Sequence, residues 1–283
     1  MDQTETARRL STWPAVAPLV ADVREALTQL RWHQALRRRI PEAAAESRVR
    51  GARASAELDG ARIDAATVRA MLCGADVEQG ADPAMSVVRA AVQCTAEAEH
   101  VARLTRRAPA QALARLHVAA AADLLPAEQV GRPRGPGEEV LEFTDLGPAP
   151  PSTQVAGRLQ GVAGLLSDTE VPAFVVAALV HAEIATVRPF ARANGLVARA
   201  LERAFLLESG LDPTGVAVPE VGLGHAGHAA YVGALAAYGT GTRDGLELWL
   251  RHWGTSMIQA AGEGRRIADA VLAGRVDGPG GPV

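Results

Sequence analysis

Residues 171 to 205 constrain the fold more than any other stretch of the chain. Val171 to Thr186 is apolar almost throughout, with Val175, Ala178, Leu179 and Ala182 at helical spacing, and Pro189 follows it. Asn194 suits the N-cap of a second helix whose core face is Val197, Leu201 and Phe205. The pattern predicts a buried helix, a short turn and another helix. Hydrophobic residues make up 48% of the chain, Ala dominates that share and aromatics reach only 4%. That balance favours closely packed helices over a sandwich rich in β-branched and aromatic residues.

Other helices follow the same signals. Residues 15 to 48 read as helix through Val20, Val23, Leu27 and Leu30. Asp64 can cap a short helix over Ile63 to Met71, Pro83 can open one running to Leu104, and Pro109 another carrying Leu113, Leu116 and His117. Gly131 to Gly137 is turn chemistry that no helix crosses. Glu139 to Thr144 carries the one fair strand signal, and Ser152 or Thr153 can cap the helix beyond it. Later helices are predicted near 228–238, 246–260 and 265–273, with a Gly- and Pro-rich tail from Gly274. The fold class is all-α with one small β-hairpin.

Charge and composition exclude several functions. The net charge of −3 comes without a basic stripe, so no nucleic-acid footprint is expected. Every basic residue is Arg, which removes a Schiff-base or phosphate-loop lysine. Cys73 and Cys94 read as free thiols rather than a disulfide framework. The polar amino terminus is unlike a signal peptide, and no apolar run reaches the roughly 20 residues of a membrane span. A cytoplasmic protein with no membrane partner is expected. His225 and His228 have a spacing one helical face could turn into a metal clip, but the surrounding glycines favour a loop and no third ligand is near. Trp249 and Trp253 read as core.

The chemistry lies in the turn, Arg188-Pro189-Phe190-Ala191-Arg192-Ala193-Asn194-Gly195-Leu196-Val197-Ala198-Arg199. It resembles the signature of the Fic (Fido) family, His-Pro-Phe-x-(Asp/Glu)-Gly-Asn-Gly-Arg-x-x-Arg. Pro189, Phe190, Asn194, Gly195 and Arg199 match in place. Arg188 stands for the His, Arg192 for the acid, Ala193 for the first Gly and Leu196 for the first Arg. Ser55 to Gly60, with Asp59, is similar to the family's inhibitory motif, Ser/Thr-x-x-x-Glu-Gly/Asn. Gly131 and Arg134 resemble the turn before the family's β-hairpin flap, and Pro150-Pro151 the segment after it. Ala177 to His181 resembles the central helix.

The resemblance implies a Fic-like helical bundle with a hairpin flap: an amino-terminal helical region with the inhibitory-like motif over 1–110, a core over 111–240, carboxy-terminal helices over 241–275 and a flexible tail over 276–283. It also implies AMP transfer from ATP to a protein hydroxyl. In that chemistry the His takes the proton, the acid holds Mg²⁺, the amides at the helix start cradle phosphate and the last Arg holds the γ-phosphate, for which the inhibitory Glu competes. Here Arg188 has no acceptor and stays protonated, and losing a positioned base costs about 10²- to 10⁴-fold in rate. His181 lies two helical turns back, roughly 10 Å, too far to replace it. It reads as a core-edge histidine bonded to backbone. Arg192 cannot hold Mg²⁺, so no metal is expected.

Arg188, Arg192 and Arg199 together carry the charge, about +3, that the family loop reaches only with Mg²⁺ bound. With Asn194 and Gly195 they could hold ATP or another nucleotide without metal. Ala193 strains the cradle if its backbone needs a positive φ. Asp59, one methylene short of Glu, would meet Arg199 loosely or through water. The expected function is a catalytically impaired AMP-transferase homologue that binds a nucleotide, a protein partner or another Fic chain. The alternative is an active adenylyltransferase with a non-standard loop.

Overall fold

The computed structural model describes residues 3–75, 82–142 and 144–275. Twelve α-helices run through them: α1 (Gln3–Leu10), α2 (Ala17–Arg31), α3 (Ile40–Leu58), α4 (Ala65–Leu72), α5 (Pro83–Arg107), α6 (Pro109–Ala121), α7 (Ser152–Ser167), α8 (Ala173–Val187), α9 (Asn194–Glu208), α10 (Pro219–Gly224), α11 (His228–Gly239) and α12 (Arg243–Leu272). The expected tail beyond 275 lies outside the described residues.

The α8 and α9 pair is the centre. Nearly every residue from Phe174 to Val187 and from Asn194 to Leu206 is buried, and α5, α6, α11, α12 and α3 pack around them. The apolar run of α8 has no polar face because it has no solvent face. Trp249 and Trp253 of α12 are fully buried, and their indole N–H groups donate to the Ala178 carbonyl at 2.8 Å and the Glu202 carboxylate at 2.9 Å. Arg203 of α9 forks onto Glu220 of α10 at 2.9 and 2.7 Å and reaches Ser47 of α3, joining three helices through a buried ion pair.

Local signals set most boundaries. Asp64 caps α4 through the Thr67 amide, and Asp82 caps α5 ahead of Pro83. Four expectations are corrected. The helix expected over 15–48 is split, with a 3-10 turn at Gln34–Arg37, because Pro41 sits in the first turn of α3 and its ring excludes helix just before it. The helix from residue 152 begins after Pro151 without a side-chain cap from Ser152 or Thr153. The two helices expected over 246–273 are the single α12. Gly264 does not break it; a Cβ there would stand 2.7 Å from Leu30 Cδ2 and 2.8 Å from the Val216 carbonyl, so this glycine lets α12 approach its neighbours.

The fourth correction is the β-hairpin. Among the described residues no strand forms. The segment before α7 instead docks on the turn between α8 and α9 by single backbone bonds. Arg134 N–H donates to the Pro189 carbonyl at 2.7 Å, and Leu141 N–H to the Ala191 carbonyl at 2.9 Å. Prolines at 133, 136, 148, 150 and 151 remove the donors a ladder needs.

Candidate functional site

The turn between α8 and α9 is built around two left-handed residues. Arg188 ends α8 at φ 49°, and Ala193 precedes α9 at φ 67°. Both carry a Cβ in a region that glycine occupies freely, so both are strained. Ala193, not Asn194, is therefore the N-cap; an alanine methyl cannot cap, and Asn194 is the first helical residue. Its side chain instead holds the turn shut. Oδ1 accepts from the Phe190 amide at 2.9 Å and Nδ2 donates to the Phe190 carbonyl at 2.9 Å. Phe190 stacks on His117 of α6 with centroids 3.8 Å apart. The His117 Nδ1 accepts from the Gly131 amide at 2.9 Å, which fixes its proton on Nε2. Burial drives the His117 pKa down to about 4, so it is neutral.

The amides that open α9 already hold an anion. The Glu142 carboxylate accepts from the Ala193 amide at 2.6 Å through one oxygen. The other oxygen accepts from the Asn194 amide and from Asn194 Nδ2, the latter at 2.6 Å. Both oxygens point at the positive end of a helix, as a bound anion's would. Burial raises the Glu142 pKa to about 7 and nearby Asp59 adds to the rise, while the bonds from Asn194 and Ala193 oppose it. By sequence Glu142 shows only as part of a predicted strand.

The three arginines of the turn do not converge. Arg199 is fully buried inside the molecule. Its Nε donates to Ser55 Oγ at 2.8 Å, and its Nη2 to the Ser55 carbonyl at 3.1 Å and Asp59 Oδ1 at 2.6 Å. The Asp59 contact is direct rather than loose, because α3 ends at that residue and its last turn carries Ser55 and Asp59 on one face, with Gly60 turning the chain away. Arg188 is buried on another side, lining a cavity of about 300 Å³ with Leu235 and Arg158. Arg134 holds that end of α8 by donating to the Arg188 carbonyl at 2.8 Å and to the Pro150 carbonyl. Arg192 alone reaches a cavity of about 420 Å³ beside the cradle, along with Asp59, Glu142, Asp145 and His228. Gly195 is buried within α9.

His181 is a core histidine held by side chains instead of backbone. Its Nδ1 pairs with Glu202, its Nε2 stands 2.8 Å from the Tyr231 hydroxyl, and Tyr231 in turn lies against Arg199. This buried chain links α8, α9 and α11 well away from Arg188. Tyr231 carried no sequence signal beyond an aromatic at helical spacing. His225 and His228 belong to no group of metal-binding residues among those described.

Residues 108–206 match the Fic/DOC family model. That stretch of the chain is similar to the Fic/DOC family. The same fold is seen in a Fic family protein from Desulfovibrio desulfuricans G20, with a TM-score of 0.68 at 20% identity over 94% of this chain and 77% of that one. Fic-1 from C. elegans aligns with a TM-score of 0.66 at 18% identity, covering 91% and 73% of the two chains. A Fic domain containing signaling protein from Bacteroides thetaiotaomicron VPI-5482 gives 0.63 at 14% identity, covering 89% and 98%. At these identities the likeness is one of fold. No curated protein sequence matches the chain. In this chain the turn is kept in shape by Asn194, Phe190 and His117. No helix among the described residues is long and apolar enough to cross a membrane.

Proposed function

We propose that this Fic domain is a scaffold that binds without transferring, a non-catalytic relative whose role is to hold a protein partner or another Fic chain. The observation that carries the reading is Arg188. It fills the place of the proton acceptor, it is 3% exposed, and its carbonyl and the end of α8 are pinned by Arg134. A guanidinium accepts no proton. Burial and Arg134 lower its pKa from the usual arginine range while Glu142 opposes them, and a guanidinium remains a cation at neutral pH. Arg192, in the metal-binding place, repels Mg²⁺ and offers it no oxygen. Arg199, the remaining phosphate-reaching cation of the motif, is committed to Ser55 and Asp59.

The test is incubation of the purified chain with ATP labelled on its α-phosphate, with Mg²⁺ and separately with EDTA, alone and with a cell lysate. The expected result is no label on the chain and none on lysate proteins above a control without it. Labelling that disappears in Arg188→Ala would overturn the proposal.

A further inference from the structure

We propose that Glu142 is a built-in competitor for the anion cradle of the Fic turn, so that an external oxyanion reaches the Ala193 and Asn194 amides only when Glu142 withdraws. This concerns regulation of the site discussed above and rests on reading that site as a place of binding.

The geometry is that of a ligand and its receptor joined in one chain. Glu142 lies 51 residues before Ala193, so the contact is tertiary rather than a local cap. A helix is ordinarily capped by its own N-cap side chain. Ala193 cannot do this, and the two amides take a carboxylate from the segment ahead of α7 instead. Each carboxylate oxygen is engaged by at least one N–H, and Asn194 Nδ2 adds a third donor. Charge-assisted bonds of this kind exclude a second anion from the same donors.

Two features make the occupancy reversible. Asp59 repels the Glu142 carboxylate, although Asp59 is itself bonded to Arg199. The cavity of about 420 Å³ adjoins Glu142, and Arg192 and His228 line it. A displaced carboxylate therefore has room to move and the Arg192 guanidinium to meet. Leu141, the neighbouring residue, stays tied by its amide to Ala191, so withdrawal needs only the Glu142 side chain to rotate, not the segment to unfold.

The experiment titrates inorganic pyrophosphate, in EDTA, into the wild-type chain, Glu142→Gln and Glu142→Ala by calorimetry. The expected outcome is at least a tenfold gain in affinity for Glu142→Ala over wild type, with Glu142→Gln between them. Equal affinities in all three would overturn the proposal, since a carboxylate that merely caps α9 affects stability and not competition. Amide hydrogen exchange of the wild type keeps the idea testable even where a variant fails to fold. Ala193 and Asn194 are expected to be protected at rest and to change exchange rate when pyrophosphate saturates the cradle; unprotected amides at rest would also overturn it. The labelling assay on Glu142→Ala separates this from the preceding proposal. Label appearing there would sink the non-catalytic reading and leave the competitor intact, whereas absent pyrophosphate gain sinks the competitor alone.

Discussion

Arg199 Nη2 stands 2.6 Å from Asp59 Oδ1 across 140 residues of sequence, joining the end of α3 to the first turns of α9. Ser55 adds two further contacts to the same guanidinium. The arginine is wholly enclosed and the Asp59 side chain retains 16% exposure. A buried charge that loses its partner costs far more than the pair contributes when intact. Asp59→Ala is therefore expected to destabilise by roughly 3 kcal/mol, the low end for a buried pair. Arg199→Ala and the double variant complete a cycle in which thermal or denaturant melts should give a coupling above about 1 kcal/mol. A coupling near zero would show that the two side chains do not interact.

Ala193 takes the left-handed conformation where the family signature has glycine. Strain from its Cβ is about 1–2 kcal/mol. Glycine would relieve that, at the expense of about 0.5–1 kcal/mol of unfolded-chain entropy and about 0.8 kcal/mol for the lost buried methyl. These terms cancel, so Ala193→Gly should melt within about 1 kcal/mol of wild type. Ala193→Val should not. A β-branched side chain at positive φ is a genuine outlier, and overpacking this 2%-exposed site adds about 1–3 kcal/mol. A valine variant as stable as wild type would contradict the left-handed backbone at Ala193.

Gly222 marks where α10 meets α12. A Cβ there would lie 2.0 Å from the Ser256 carbonyl oxygen and 3.1 Å from the Ala260 nitrogen, both backbone atoms that no rotamer change can move. Gly222→Ala must push α10 outward, and α10 carries Glu220, the partner of buried Arg203. The expected loss is about 3 kcal/mol or more. Gly224→Ala is the control, because its Cβ would find only the Leu58 side chain, with Cδ2 at 3.6 Å and Cγ at 3.9 Å. Melting temperatures that fall equally in both variants would discount the close contact.

The helices were legible because their signals are local. The period of α8 and α9, Pro83 and Pro109 at helix starts, and the Asp64 cap each act within a turn or two of sequence. The site was less legible because its deciding contacts are tertiary. Arg188, Arg192 and Arg199 are spaced as if on one face, four and seven residues apart, and the sequence suggested a shared cavity. The left-handed turns at Arg188 and Ala193 break that register, so the three side chains leave in different directions. Glu142 was hidden by its neighbours: Val140, Leu141 and Phe143 give the stretch a strand's propensity. Nothing local shows that its carboxylate meets amides more than 50 residues on. A lone acid in an apolar stretch, ahead of a helix whose N-cap is alanine, is the signal that could have found it.

Glu142 and His117 pull the pH dependence of stability in opposite directions. The pKa of Glu142 rises from 4.5 in the unfolded chain to about 7 in the fold. Between those values the native state binds more protons than the unfolded one, so this contribution is fully present below pH 4.5 and is lost as pH rises through 7. For His117 the pKa falls from 6.5 to about 4. The unfolded state then binds the extra proton, and this contribution is fully present above pH 6.5 and is lost as pH falls through 4. Across pH 4.5 to 6.5 the two slopes oppose each other, so the wild type should show little dependence from this pair. Removing one should uncover the other. Glu142→Gln keeps a neutral side chain at every pH, so its melting temperature relative to wild type should climb as pH rises from 5 to 8. His117→Gln should show the reverse dependence, with its deficit shrinking as pH falls from 7 to 4. The charged and titratable neighbours of the carboxyl group, Asp59, Asp145, Arg188, Arg192 and His228, are unchanged in both variants, so they do not produce the opposed signs. Parallel pH profiles for the two variants and the wild type would mean that neither group titrates as its surroundings dictate.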